Sequence, residues 1–251
     1  LEDESDDFAK RLFWLVAQRL GTPVSQSAAG ERLFAVQDAG FAESDRRARG
    51  PNTRKRLSFH TDRCDVIGFL CVRQALEGGQ NDVVSSVTLF NRILVQRPDL
   101  CRTLMESYLY QRHNVDHGNA LAYCEQPIFS ITKGHFAANC LRVLIERAYA
   151  SPETPDMTDL QREALDYLEA TAEDETLFHR FRLERGDMLF LNNWVTLHRR
   201  LQFVDHPEPD HKRLLYRAWL SMPNSRPLDP RFAANYGSTE AGAVRGGMRA
   251  R

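Results

Sequence analysis

Apolar positions along the chain change period several times, and each change marks an element. From 7 to 20 (DFAKRLFWLVAQRL), Phe8, Leu12, Phe13, Leu15, Val16 and Leu20 recur at helical spacing, and Gly21 with Pro23 stops the run. Residues 33–37 read as a short strand, whereas 40–56 are polar and broken by Gly and Pro, as a loop is. A strand is expected to precede or include 58–60, and 66–73 reads as another. A turn at Gly78–Gly79 leads into a short extended stretch, 82–86. A helix is predicted from 87 to 96, stopping at Pro98, and a second over 99–109. Strand-like 128–132 precedes predicted helices over 135–149 and 158–175, the latter with Thr158 or Asp159 as N-cap. The last block is strand-like again, over 178–184, 188–192, 196–203 and 214–222, with a turn at Gly186–Asp187. From Pro223 onward the chain is rich in Pro, Gly and Arg and mostly irregular.

Strands therefore flank a helical block in the middle of the chain. Strand and helix do not alternate, which argues against a doubly wound parallel sheet, and no internal repeat is visible. The order fits a mainly β fold with helical insertions, a double-sheet jelly roll (double-stranded β-helix). The length of 251 residues suits one such domain over 1–251, with a helical insertion at about 135–176.

Composition narrows the function classes. The net charge of -1 gives no sign of a general nucleic-acid or membrane-surface binder. No apolar run is long enough to span a bilayer, and no signal-peptide pattern is visible. The five cysteines (Cys64, Cys71, Cys101, Cys124, Cys140) form no CxxC pair, so they read as reduced thiols of a cytoplasmic protein. Charge is uneven: Arg46, Arg47, Arg49, Arg54, Lys55 and Arg56 form a basic run leading into the triplet His60-Thr61-Asp62. Such a run is either a solvated loop or a loop that attracts an anionic substrate.

That triplet carries the chemistry. On a strand, residues i and i+2 face one side, so His60 and Asp62 can offer an imidazole nitrogen and a carboxylate oxygen to one metal. Two histidines and one carboxylate on one face of an octahedral ion leave three positions open, the pattern of non-haem iron(II) oxygenases. The second histidine is best supplied by His198 in LNNWVTLHRR. His206 and His211 lie in a polar loop with Pro207 and Pro209. His113 and His117 share a helical spacing but lack the glutamate of a zinc-protease HExxH. His135 and His179 attract no functional reading. Arg213 and Arg217 are four apart in a strand-like run and so on one face, where buried cations need anions. An arginine can hold a carboxylate by two parallel hydrogen bonds.

The ordered set of HTD (60–62), His198 and KRLLYRAWL (212–220) resembles the taurine dioxygenase and clavaminate-synthase-like family of iron(II)- and 2-oxoglutarate-dependent oxygenases. LEGGQNDVVSS (76–86), QPIFS (126–130), HRRLQFVD (198–205) and the closing RGG (245–247) add to the likeness, which spans roughly 20–247. The resemblance implies His60, Asp62 and His198 as iron ligands, and Arg213 as the partner of the far carboxylate of 2-oxoglutarate. It implies Arg217 as a contact of the substrate's anionic group. Asn81 falls where the family has a threonine that helps hold 2-oxoglutarate; Ser85 or Ser86 is the alternative. With O2 as second cosubstrate, the implied reaction oxidises an unactivated C–H bond, releasing succinate and CO2. The substrate expected is small and anionic or amino-acid-like, the loop 40–56 and the segment 110–126 are candidate lids, and a homo-oligomer is compatible with the sequence. The competing classes are a zinc hydrolase using the same His/Asp/His set and a non-catalytic jelly-roll binding protein.

Overall fold

The computed structural model describes residues 4–41, 50–112 and 122–248. The chain opens with helix α1 (Asp6–Leu20), followed by strands β1 (Thr22–Val24), β2 (Leu33–Val36), β3 (Val66–Arg73), β4 (Glu77–Gly78) and β5 (Asn81–Ser85). The helices α2 (Ser86–Gln96) and α3 (Pro98–Leu104) lead into two hairpins. These are β6 (Ser107–Gln111) with β7 (Tyr123–Pro127), and β8 (Phe129–Thr132) with β9 (His135–Ala138). After α4 (Arg142–Tyr149) and α5 (Asp159–Ala172) come β10 (Phe178–Phe181), β11 (Met188–Asn192), β12 (Thr196–Arg200), β13 (Phe203–Val204), β14 (Leu214–Ser221) and the short α6 (Ala233–Tyr236). Among the described residues no helix is long and apolar enough to cross a membrane.

Two antiparallel sheets face each other. The larger runs β1-β14-β3-β11, with β2 also paired to β14; the smaller runs β10-β5-β12. The free edge of β12 is extended by the segment before the HTD triplet. Main-chain hydrogen bonds join His60 to His198 in both directions at 3.0 Å, and Leu57 N–H donates to the Arg200 carbonyl at 3.0 Å. Phe34, Phe69, Leu189 and Leu215 of the larger sheet meet Phe181 of the smaller in one apolar cluster, closing one end of the space between them.

Alternation along the smaller sheet separates its two faces. Leu197 and Val84 turn outward, each 1% exposed, onto Leu89 and Ile93 of α2, Leu100 of α3 and Leu168 of α5. His198, Arg200, Asn81 and Val83 therefore turn the other way, inward, by strand parity. Helix α5 starts at Thr158 in a capping box with Gln161.

The same sheet holds a buried charge cluster. Asp82, its side chain fully buried, accepts from Arg180 Nε at 2.7 Å and Arg199 Nε at 2.8 Å, and Arg199 also pairs with Glu173. Burial alone raises the Asp82 carboxyl, but the hydrogen bonds from Arg180 and Arg199 outweigh it and hold it below the ordinary range. A lowered folded-state value gives stability that is complete above the unfolded value of about 4 and is lost as pH falls through the folded value. Asp82→Asn removes the buried charge shared by Arg199 and Arg180, leaving Arg199 only Glu173, and is expected to destabilise the fold by about 3 kcal/mol at neutral pH. Thermal unfolding followed from about pH 5 to about pH 3 should show a steeper loss for wild type than for the variant; parallel curves would refute this assignment.

Two sequence expectations are corrected. The helix predicted over 99–109 ends at Leu104, and Ser107–Gln111 is strand β6. The helix predicted over 135–149 begins only at Arg142, because His135–Ala138 pairs with Phe129–Thr132. Lys133 (φ 50°) and Gly134 (φ 77°) form the two-residue turn between these strands. Both turn residues have positive φ, the backbone of a tight hairpin turn.

Candidate metal centre

His60 does not sit in a regular strand; it makes an isolated bridge to His198 at the edge of the smaller sheet. That bridge brings the two imidazoles together, with ring centroids 4.4 Å apart. His60 Nδ1–H donates to the Ser58 carbonyl at 2.9 Å, which leaves Nε2 as the free ring nitrogen. His198 presents Nε2 to Asp62 Oδ2 at 3.7 Å.

Asp62 lies in an irregular segment, so strand parity is not what aims it. Asn193, fully buried after β11, does this work. Its Oδ1 accepts from Asp62 N–H at 3.0 Å, and its Nδ2 donates to the carbonyls of Asp62 and Cys64. Tyr236 of α6 adds an O–H bond to the Asp62 carbonyl at 3.4 Å.

One ligand atom from each of His60, Asp62 and His198 lies within 4.8 Å of the other two. Burial works against the Asp62 charge, but Arg217, His60 and His198 outweigh it and hold the carboxyl below the ordinary range. Burial, with His60 alongside, pushes His198 down to about 3, so its imidazole is neutral at physiological pH. A carboxylate beside a neutral imidazole is what a metal requires of these two ligands. Asp62 Oδ2 is buried without a hydrogen-bond partner, which a bound cation would supply. The residues present thus fit an iron(II) ion.

The cluster opens on a cavity of about 790 Å³ in which arginines outnumber carboxylates. Arg217 Nη1 is 3.5 Å from Asp62 Oδ2, and its Nε donates to Gln26 Oε1 at 2.7 Å. Gln26 Nε2 in turn donates to the Arg217 carbonyl at 2.8 Å, so this glutamine clamps the arginine. Arg213, 2% exposed, lies against the Phe203 ring and has a buried Nε with no partner. Burial lowers its guanidinium to about 10; burial and then the Arg213 charge lower Arg200 to about 9. Both stay charged at neutral pH, and among the described residues neither has a carboxylate within ion-pair distance. Asn81 lies beside Arg200 in the β5–β12 register, lines the cavity and has a buried Nδ2 without a partner.

The structure therefore brings His60, Asp62, His198, Arg213, Arg217 and Asn81 to one cavity. Ser85 caps α2 through its Oγ, and neither Ser85 nor Ser86 lines the cavity. From the two expected lids, Gly50, Pro51, Asn52 and Arg56, and Tyr110, Gln111, Arg112 and Cys124, contribute to its wall. His113, His117, Arg46, Arg47 and Arg49 lie outside the described residues. Sequence reading missed Arg200, although it sits two positions after His198 and shares its face. It also missed Gln26 and Asn193, whose contacts join positions far apart in the chain.

Fold and site together define a class: a double-stranded β-helix with a His/Asp/His cluster at one edge. The chain belongs to the taurine catabolism dioxygenase TauD/TfdA family, whose profile matches residues 2–219. It is 30% identical over 220 residues to FR-33289 synthase of Streptomyces rubellomurinus, covering 84% of this chain and 63% of that protein. It is 29% identical over 158 residues to the taurine hydroxylase-like protein SAT17 of Stachybotrys chartarum, covering 61% of this chain and 39% of that one. The chain thus spans less than two thirds of these curated relatives. Among solved structures, asparagine oxygenase with Fe(II), 3-hydroxyasparagine and succinate superposes with a TM-score of 0.64 at 17% identity, over 84% of this chain and 63% of that one. The non-heme iron oxygenase OrfP with Fe and alpha-ketoglutaric acid gives 0.64 at 15% identity, over 94% and 70%. These likenesses establish a shared jelly-roll fold.

Proposed function

We propose that the chain is an iron(II)- and 2-oxoglutarate-dependent dioxygenase that hydroxylates an unactivated C–H bond of a small anionic or amino-acid-like substrate. The observation that carries this reading is the His60/Asp62/His198 cluster in one cavity with the buried, carboxylate-free Arg213. A related enzyme that shares 30% identity, and fold neighbours that hold iron with amino-acid products, support it.

His60, Asp62 and His198 would hold the iron on one face. Arg213 would take the far carboxylate of 2-oxoglutarate, with Asn81 donating from the facing strand. When bound, iron, 2-oxoglutarate and O2 together supply an oxidant able to break an unactivated C–H bond, with succinate and CO2 released. The protein's own part is orientation and exclusion of water. Asn193 fixes Asp62, the Ser58 carbonyl fixes the His60 tautomer, and Phe69 lies edge-on to His198 with ring centroids 6.0 Å apart. Arg217, held by Gln26 and stacked near Trp219, would orient the substrate's anionic group over the metal face.

The test is anaerobic addition of iron(II) and 2-oxoglutarate, watching for the visible charge-transfer band of the chelate. A wild-type protein without that band ends the dioxygenase reading. Once succinate release identifies a substrate, Arg217→Ala is expected to raise its apparent KM by about 10- to 100-fold, the loss of a charge-assisted hydrogen bond. An unchanged KM removes Arg217 from substrate binding.

A further inference from the structure

In the proposed function Arg213 takes one carboxylate and Arg217 another anionic group, but the cavity holds a further buried cation. Arg112, at the end of β6, is 8% exposed, and both Nε and Nη1 are buried without a hydrogen-bond partner. Its Nη2 donates to the Ala234 carbonyl of α6, and the guanidinium also touches the Cys124 thiol. No carboxylate among the described residues lies within ion-pair distance of it. A buried guanidinium with two idle donors and no counter-charge is costly unless a ligand supplies the anion.

Its neighbours suit that ligand. Arg112 lies against the Cys124 thiol, which burial keeps protonated, so the sulfur supplies no counter-charge. Asn235 and Asn139 line the same part of the cavity and can donate amide N–H groups. Arg112 and Cys124 stand on the β6–β7 hairpin, a sheet separate from those that carry Arg200 and Arg213. Helix α6 connects this corner to the metal cluster: Ala234 receives Arg112, and Tyr236 reaches the Asp62 carbonyl.

We propose that Arg112, with Asn235, forms a second anion subsite that binds an oxyanion borne by the substrate. The substrate is then anionic at two separated points, one held by Arg217 and one by Arg112. This rests on the dioxygenase reading of the cavity and names the substrate class within it.

Two titrations test the subsite. In the first, inorganic phosphate is titrated calorimetrically into the full chain, metal-free and again with saturating iron(II) and 2-oxoglutarate under anaerobic conditions. Phosphate binding is expected to persist when 2-oxoglutarate is present and to weaken at least tenfold in Arg112→Gln. Asn235→Asp leaves Arg112 in place and covers the case in which Arg112→Gln fails to unfold cooperatively; it should weaken phosphate at least tenfold as well. In the second, straight-chain dicarboxylates from succinate to suberate are compared, in the loaded protein, with monocarboxylates of equal length. At least one dicarboxylate should bind tenfold tighter than its partner, and Arg112→Gln should erase that advantage. Phosphate binding that 2-oxoglutarate abolishes, or that both variants leave unchanged, overturns the subsite. A dicarboxylate series with no advantage overturns its assignment to the substrate. If wild type forms no charge-transfer band, the dioxygenase reading fails, while the metal-free phosphate titration still decides the subsite.

Discussion

Replacing His198 with alanine is expected to remove iron(II) binding while leaving the fold in place. The two effects separate because His198 has two independent roles. Its main chain exchanges both hydrogen bonds with His60, and alanine keeps them. Its Nε2 faces Asp62, and alanine loses it. Disturbing outer-shell partners of a metal typically costs about 10- to 100-fold in affinity; loss of one of three protein ligands should exceed about 100-fold. Linkage offers a direct readout. A ligand that binds only the native state at about 100 times its Kd adds about 2.7 kcal/mol. Anaerobic iron(II) should therefore raise the wild-type unfolding midpoint and leave that of His198→Ala where it was, with the charge-transfer band absent from the variant. A variant that retains both iron stabilisation and the band would remove His198 from the metal site.

Much of this centre is legible in the sequence. The HTD triplet, the later histidine and the arginine strand are local patterns in a fixed order, and the jelly roll follows from strands flanking helices. What stayed hidden depends on contacts that no local window contains. Asn193 looks like any polar residue in a turn until Asp62, far earlier in the chain, is set against it. Asp62 itself joins His60 and His198 without the strand geometry that motivated pairing it with His60. Arg112 was hidden for a different reason: the helical spacing of 99–104 runs without a break into the alternation of 107–111, and the turn at Met105–Glu106 carries neither Gly nor Pro. Lys133-Gly134 is likewise a weaker hairpin signal than Asn-Gly, so strand β9 was absorbed into the helix that follows it. Arg200 was the readable omission, since the parity that aims His198 inward aims Arg200 with it.

Arg213 yields the sharpest contrast between stability and function. In the ligand-free protein its guanidinium is 2% exposed, has an idle Nε and repels the Arg200 charge beside it. A buried charge without a partner destabilises the fold, and replacing such charges with apolar groups of similar volume often stabilises by about 1–4 kcal/mol. Arg213→Met is therefore expected to raise the unfolding midpoint of the metal-free protein. The same substitution removes the partner proposed for the far carboxylate of 2-oxoglutarate. Truncating one side of a buried charge pair costs about 2–5 kcal/mol, which at 1.4 kcal/mol per decade corresponds to about a 30- to 1000-fold weaker complex. Titrating the charge-transfer band against 2-oxoglutarate measures that loss, and thermal unfolding without ligand measures the gain. Opposite signs mark a cation kept for its ligand, whereas a midpoint that falls with unchanged 2-oxoglutarate affinity would make Arg213 a structural residue of the barrel end. Arg200 sharpens the comparison: its Nη2 already donates to the carbonyls of Thr53 and Lys55. Its removal should cost the fold more than Arg213→Met does and weaken 2-oxoglutarate less.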